Sequence, residues 1–439
     1  MKPLDFGRSD DPRVQAQLDR LSALSVPQGR LGLETIRALL DRLGNPHRKL
    51  PPVFHVAGTN GKGSTCAFLR AMLEAQGYRV HVTTSPHLVR YNERIRLAGE
   101  MISDEALAAV LAEVLDAARG NGGGLGPSFF EVTIAAAFLA FARTPADACV
   151  IEVGMGGRFD ATNVLEPEAL AACGIAALGL DHERFLLAPE EGVPKEPMAR
   201  IAFEKAGIAK RGVPLVTFND TYPPEAQAAI RDVAEHVGAT LHEGFWHCDA
   251  TGGQAEFWRD ENTFLPLFPS LPGEHQAINL CLAISMLMRQ DRLAVSEAAI
   301  VTGAKTARWP ARMQRLGDGP LTAIVDGQTV WLDGGHNPSA GAAIAAHFDG
   351  PLHLVIGMIE GKNPRAIIDP LGNRIRTLTV VPVPSHACHP ASAFGPEARA
   401  AANVEEALSG LPADDLPVLI AGSLYLAGEV LRLNDELPD

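Results

Sequence analysis

The stretch Val56–Thr65, VAGTNGKGST, decides the fold. The apolar run VFHVAG leads into it from Val53, and the segment STCAFLRAMLEAQG leads out. A short apolar run entered after Pro51 and Pro52 predicts a buried strand. In the segment that follows, Phe68 and Met72, and likewise Leu69 and Leu73, stand four apart on one helical face. That helix is predicted to stop at Gly77. YRVHVTTS, from Tyr78, predicts a second strand, so the unit is strand, loop, helix, strand. Glycines in such a loop let backbone N–H groups turn toward phosphate oxygens, and the helix N-terminus adds positive partial charge. The predicted nucleotide-binding residues are therefore Gly58, Thr59, Asn60, Gly61, Lys62, Gly63, Ser64 and Thr65. Lys62 is placed to reach the β- and γ-phosphates of a nucleotide, and Ser64 to hold Mg²⁺. The loop is a variant, because Gly63 stands between Lys62 and Ser64.

Composition sets the frame around this loop. With 439 residues, 46% apolar and 21% charged, the chain has room for two or three core-forming domains. A net charge of −14 argues against a nucleic-acid partner, whose phosphates need a basic surface. No apolar run is long enough to cross a bilayer, and MKPLDFGRSDDPRVQ has no signal-peptide core. The six cysteines are scattered without CxxC spacing, as small apolar residues of a reducing compartment. The expectation is a cytoplasmic monomer with small-molecule substrates and no membrane or nucleic-acid partner. No internal repeat is evident.

Residues 13–44 read as helical. Ser103 and Asp104 open a helix whose Leu107, Val110, Leu111, Val114 and Leu115 form one stripe, ended by GNGGGLG. FFEVTIAAAFLAFAR reads as a buried helix, and ADACVIEVGMGG and EALAACGIAALGLDH as strands running into turns. This alternation predicts a parallel sheet covered on both faces. The mixed basic segment from about Gly303 to Gly319 reads as a hinge, and a second α/β run follows it. The predicted fold is α/β. A P-loop NTPase-like N-terminal domain with a parallel sheet spans 1–304. Residues 305–318 form the hinge, and a smaller Rossmann-like domain spans 319–439.

Several residues attract a chemical reading on their own. TTSPHLVRYNERIRL gathers His87, Arg90, Arg94 and Arg96 with Tyr91, a cationic patch suited to a carboxylated aromatic ligand, or else a solvated loop. Glu131 and Thr133 stand at the start of an apolar helix, where a carboxylate needs a partner or a metal, or else caps the helix. Glu152 closes a buried strand and points at the crevice where α/β sheets bind ligands; with Ser64 it makes a sensible Mg²⁺ pair. Asp181 and His182 close the next strand. Glu204 and Lys205 read alone as a surface pair. HACH, His386 to His389, cannot close a tetrahedral metal site and reads as incidental.

GTNGKGST resembles the loop of the folylpolyglutamate synthase and dihydrofolate synthase family, ATP-dependent amide ligases akin to the Mur cell-wall ligases. Further motifs follow in family order from Phe54 to Leu426: SPHL, FEVT, EVGMGGRFDATN, DH, IAFEKAGIAK, GEHQAIN, DGGHNP and AGSLYL. The resemblance implies that Ser85, Pro86, His87 and Arg94 lie near the pterin and ATP, and that Glu131 lines the site. It implies that Glu152 holds Mg²⁺, that His182 binds a second Mg²⁺, and that Lys205 is carbamylated. Asn279 would contact adenine, Arg312 phosphate and Asp333 ribose. His336 and Asn337 would face ATP and the incoming amino acid, with Ser423 and Tyr425 beside them. Ala311, Gln314 and Gly335 depart from the family pattern, and the segment from His182 to Ile201 is longer than usual.

The implied reaction moves the ATP γ-phosphoryl to a carboxylate, and an amine then attacks the acyl phosphate. The acid would be dihydropteroate or a folate, the amine L-glutamate, and the catalytic residues Lys62, Glu131, Lys205 and His336. A Mur-type ligase on another acid and a P-loop small-molecule kinase are the alternatives. A GTPase lacks support because no NKxD motif is present.

Overall fold

The computed structural model describes residues 9–24, 32–120, 124–218, 221–243, 248–251, 254–260, 263–325 and 327–438. The chain divides into two compact units. One comprises residues 1–86, 90–270 and 275–308; the other comprises 87–89, 271–274 and 309–439.

The first unit is built on eight strands: β1 Val53–Ala57, β2 Val80–Thr83, β3 Ile95–Leu97, β4 Glu100–Met101, β5 Ala148–Glu152, β6 Leu170–Ile175, β7 Pro214–Thr217 and β8 Thr240–Glu243. Their order is β4-β3-β2-β5-β1-β6-β7-β8. From β2 to β8 all pairings are parallel, while β3 and β4 add an antiparallel edge. Every residue of β1, β5 and β6 is buried, as expected for central strands covered on both faces. Beside this sheet the sequence holds β9 Cys248–Thr251, β10 Gln254–Asp260 and β11 Thr263–Leu267, an antiparallel sheet not foreseen above.

The helices obey the predicted patterns. In Lys62–Ala75, Phe68, Leu69, Met72 and Leu73 are all buried, and the helix Glu297–Thr306 packs on it so closely that a Cβ at Gly303 would lie 2.5 Å from Met72 N. In Asp104–Arg119 the Ser103 hydroxyl accepts from Ala106 N, and the predicted stripe is buried. The region 13–44 is two helices, Pro12–Ser22 and Glu34–Arg42, rather than one. Residues 25–31 between them lie outside the described residues, as do 1–8 and the 121–123 portion of the predicted glycine-rich terminator.

The second unit holds β12 Gln314–Arg315, β13 Val330–Leu332, β14 Leu352–Ile356, β15 Ile375–Val380, β16 Arg399–Ala400 and β17 Val418–Ala421, in the order β12-β13-β17-β14-β15-β16. All but the β12–β13 pairing are parallel. Alternate residues feed two cores: Val355, Val418 and Ile420 on one face, Leu354, Ile356 and Leu419 on the other. That two-sided burial is why these strands read as continuous apolar runs. Among the described residues no helix is long and apolar enough to cross a membrane.

Candidate active site

Three strand ends of the first unit build the site. β1 runs into the glycine loop. On β5, Glu152 is in register with Val56, so its carboxylate rises beside that loop. Beyond β2, Ser85 donates its backbone N–H to Glu152 Oε2 at 3.2 Å. Such strand carboxyl ends are where open α/β sheets bind ligands.

The loop is tied down from behind. Thr59 N and Asn60 N donate to Ala177 O at 2.8 and 3.2 Å, and Thr59 Oγ1 donates to Gly179 O at 2.9 Å. Two of the loop's N–H groups are thus used within the protein. Those of the next turn are placed differently. Gly61 stands at the N-cap of Lys62–Ala75 with φ +81°, and no side chain caps that helix. A left-handed residue is needed at this point, and a Cβ there would lie 2.2 Å from the Asn279 carboxamide oxygen. An uncapped helix start keeps backbone donors aligned for an anion.

Charge is arranged around that start. Lys62 Nζ lies 3.3 Å from Thr59 O and 4.0 Å from Glu152 Oε1. Ser64 and Glu152 are both buried. Lys205 is buried as well, and its Nζ donates to Gly58 O at 2.9 Å. Burial, with the nearby charge of Lys62, brings the Lys205 amine down to about 7. Lys205 and Glu204 are therefore not the surface pair their isolated sequence indicated; both are interior.

Sequence reasoning missed a buried relay under this site. Asp160 Oδ2 accepts from Met155 N at 2.8 Å and so shapes the loop after Glu152. Its Oδ1 accepts from Thr162 N and Thr162 Oγ1 at 3.0 and 2.6 Å, and His55 Nε2 lies 2.8 Å from that hydroxyl. The hydroxyl's one proton goes to Asp160, so His55 Nε2 donates. Burial holds His55 at about 3, hence neutral, and raises Asp160. The signal was present in the FDATN motif and in a polar residue within an apolar strand.

Other predicted residues fall elsewhere. Glu131 forms a capping box with Ser128: its Oε2 accepts from Ser128 N at 2.7 Å, and Ser128 Oγ from Glu131 N at 3.2 Å. The capping alternative thus accounts for it. The cationic loop is not one patch. Arg94 is buried, with Tyr91 and Phe129 rings each 5.4 Å from its guanidinium, and Arg90 pairs with Asp104. His87 groups with the second unit, along with Leu88 and Val89. Pro86 follows Ser85 through a cis peptide. His182 has φ +54° and a half-exposed ring 3.9 Å from Asp181. Asn279 is buried against the loop and donates to Gln276 Oε1 at 3.0 Å.

In the second unit the strand ends of β13 and β17 bring Asp333, His336, Asn337 and Ser423 together; Gly422 N donates to Gly335 O at 3.1 Å. Asp333 is a clamp. Its oxygens accept from Met313 N at 2.8 Å and Gly335 N at 2.7 Å, and burial raises its carboxyl. Asn337 caps the helix Pro338–His347 through Ala340 N, and Ser423 caps Leu424–Leu433 through Tyr425 N. His336 Nδ1 donates to Gly334 O at 3.1 Å. Arg312 sits between Ala311 and Met313, both left-handed at φ +55° and +43°. Gln314 steadies that turn: its Oε1 accepts from Ala311 N, and its Nε2 donates to Glu436 Oε2. Gly335 leaves no spare room, since a Cβ there would lie 2.8 Å from Asp333 Oδ1. In HACH, His386 stacks on Tyr425 at 4.0 Å and His389 Nε2 donates to Lys362 O, with no metal cluster among the described residues.

The uncapped helix start, its lysine and the parallel sheet define a P-loop nucleotide-binding protein of two α/β units. No protein-family model matches the chain. The dihydrofolate synthase/folylpolyglutamate synthase of Bacillus subtilis is 34% identical, over 91% of this chain and 94% of that protein. Escherichia coli FolC, solved with DHPP and ADP, superposes with a TM-score of 0.80 at 30% identity, covering 96% of this chain and 97% of that one. The Yersinia pestis folylpolyglutamate synthase/dihydrofolate synthase, solved with AMPPNP and Mn, gives 0.79 at 28% identity, over 95% and 97%. The chain belongs to the folylpolyglutamate synthase/dihydrofolate synthase family.

Proposed function

We propose that this enzyme joins L-glutamate to the carboxylate of dihydropteroate, of a folate, or of both, at the expense of ATP. The observation that carries this is the charged group at the glycine loop: Lys62 and the buried Glu152 4.0 Å apart, with the buried Lys205 on the Gly58 carbonyl. An acid oxygen attacks the γ-phosphorus and ADP leaves. The glutamate amine then attacks the acyl carbon, phosphate leaves, and the amine loses a proton. The uncapped helix start and Lys62 bind and orient the phosphates, which is most of what phosphoryl transfer asks of a protein.

The donor set fits Mg²⁺. Ser64 and Glu152 are hard oxygen ligands, and Mg²⁺ ordinarily takes one or two protein oxygens with phosphates and waters. When bound it neutralises charge on the transferring group. His182 stands as the candidate for a second ion. An amine lowered to about 7 has about half of its population in the neutral, nucleophilic state that carbon dioxide requires at neutral pH, which supports carbamylation of Lys205. Glu131 receives no chemical step, because its carboxylate serves the cap. His336 is assigned to the glutamate end, on loops that Asn337 and Ser423 cap and Asp333 clamps; Asn279 and Arg312 are assigned to ATP, and Ser85, Pro86, His87 and Arg94 to the acceptor. The partition 1–304, hinge 305–318 and 319–439 belongs to the same proposal, as does a cytoplasmic monomer. Five free cysteines among the described residues accord with a reducing compartment.

ADP release is the test. It is expected to require acceptor and L-glutamate together, and to be lost in a folded Glu152→Ala protein. Release indifferent to glutamate would favour a kinase.

A further inference from the structure

The connection from His182 to the helix Pro197–Ala206 carries a charge structure of its own. Four side chains meet there. Arg158 comes from the loop after β5, Glu190 from the connection, and Arg200 and Glu204 from the helix. Arg158 Nη2 lies 2.5 Å from Glu190 and 2.8 Å from Glu204. Arg200 Nη2 lies 2.9 Å from each of the same two carboxylates. Each acid touches both arginines, so the four close an alternating ring with no net charge. Arg200 and Glu204 form its inner half at 7% and 6% exposure, Arg158 and Glu190 its outer half at 21% and 18%.

This ring presses the helix onto the loop after Glu152. Arg158 N donates to Glu204 O at 2.7 Å, and a Cβ at Gly157 would lie 2.7 and 2.8 Å from the carbonyls of Glu204 and Lys205. The Arg158 guanidinium also lies over the rings of Phe159 and Phe203, at 4.3 and 4.9 Å. The next residue along the helix is Lys205, with its Nζ on Gly58 O. That amine is buried near a second lysine, an arrangement that does not hold itself together. Buried ion networks add little net stability over an apolar core, and in some proteins they fix geometry.

We propose that Glu190 is a positioning residue of the active site: it closes the ring that holds Lys205 against the phosphate-binding loop. The inference rests on the role given above to Lys205 in ligation. Glu190 comes from the connection between His182 and Pro197, so the contact is supplied from outside the helix that it steadies.

Glu190→Gln removes one charge and keeps the shape. Glutamate-dependent kcat is expected to fall about 10²-fold, the scale of a misplaced catalytic group, with KM for ATP little changed. In the same variant, in buffer freed of carbon dioxide so that Lys205 is a free amine, an amine-acetylating reagent followed by peptide mass spectrometry should label Lys205 about tenfold faster while Lys62 keeps its wild-type rate. Because the single variant leaves two guanidinium groups on one carboxylate, Glu190→Gln/Arg200→Gln is the second test. It should regain the wild-type Tm yet keep the low kcat and the faster Lys205 labelling. Wild-type kcat in the double variant would overturn the inference. So would an unchanged Lys205 labelling rate, or a uniform rise at every lysine. If the wild-type protein shows no glutamate-dependent turnover, the ligase reading fails, and the labelling rates still decide whether the ring holds Lys205.

Discussion

Three helix starts of this molecule divide between opposite solutions. At Lys62–Ala75 the N-terminus is uncapped, with left-handed Gly61 before it and a lysine as its first residue. At Pro338–His347 and Leu424–Leu433 the chain caps itself with Asn337 and Ser423, while Asp333 clamps the loop beside them. All three lie at strand ends in family motifs. The difference teaches that a motif residue need not face a ligand with its side chain. In the first unit the backbone donors are kept for an anion, and the charged side chains surround it. In the second, the polar side chains hold their own loops, and they place His336 in doing so.

The largest effect expected from this contrast is on rate. Lys62→Ala and Glu152→Ala should each lower turnover by about 10²–10³-fold with Tm unchanged, in steady-state ADP release and a melting scan. A large fall in Tm with the rate loss would make the first region structural, like the second.

Lys205 should carry the next largest effect, and it has a sign. Its folded-state value of about 7 lies below the ordinary lysine value of 10.5, so between these pH values the unfolded chain binds the proton and the folded one does not. Stability therefore rises with pH through that window, and below pH 7 the full cost of a buried ammonium remains. In buffer freed of carbon dioxide, Lys205→Met should be more stable than wild type at pH 6, by up to about 5 kcal/mol, and the gap should shrink by pH 10. Denaturant melts at both pH values measure it; a gap that does not depend on pH would contradict the assignment.

The second region should respond in stability first. Asp333→Ala orphans two buried N–H groups and should cost about 3 kcal/mol in denaturant unfolding. Ser423→Ala loses a cap and should cost about 1 kcal/mol, with the KM for glutamate moving less than the melting midpoint implies. A Ser423→Ala protein of unchanged stability and much raised KM would make Ser423 a ligand contact and erase the contrast.

The sequence showed the parts whose cause is local. The buried β1, the loop and the helix face of Phe68, Leu69, Met72 and Leu73 lie within one short segment. The capping box of Ser128 and Glu131 was readable from its S-x-x-E spacing. What stayed hidden depends on distant partners. Arg94 is interior because Phe129 stacks against it from another helix, and neither residue announces the other. The surface pair read at Glu204 and Lys205 fails for the same reason, since their partners are Arg158, Arg200 and the Gly58 carbonyl. The antiparallel sheet β9–β11 did leave a trace: Ala255 and Phe257 are buried between partly exposed neighbours, a period of two over only a few residues.

Glutamate ligation can be read in a single assay. The protein is incubated with MgATP and L-glutamate, and either 7,8-dihydropteroate or tetrahydrofolate. ADP release and the mass of the acceptor are followed together. ADP release is expected to depend on both glutamate and acceptor, with the acceptor gaining a glutamyl residue. Gain on dihydropteroate alone makes the enzyme a dihydrofolate synthase, gain on tetrahydrofolate alone a polyglutamate extender, and gain on both a bifunctional enzyme. ADP release with neither acceptor changed in mass would contradict the account.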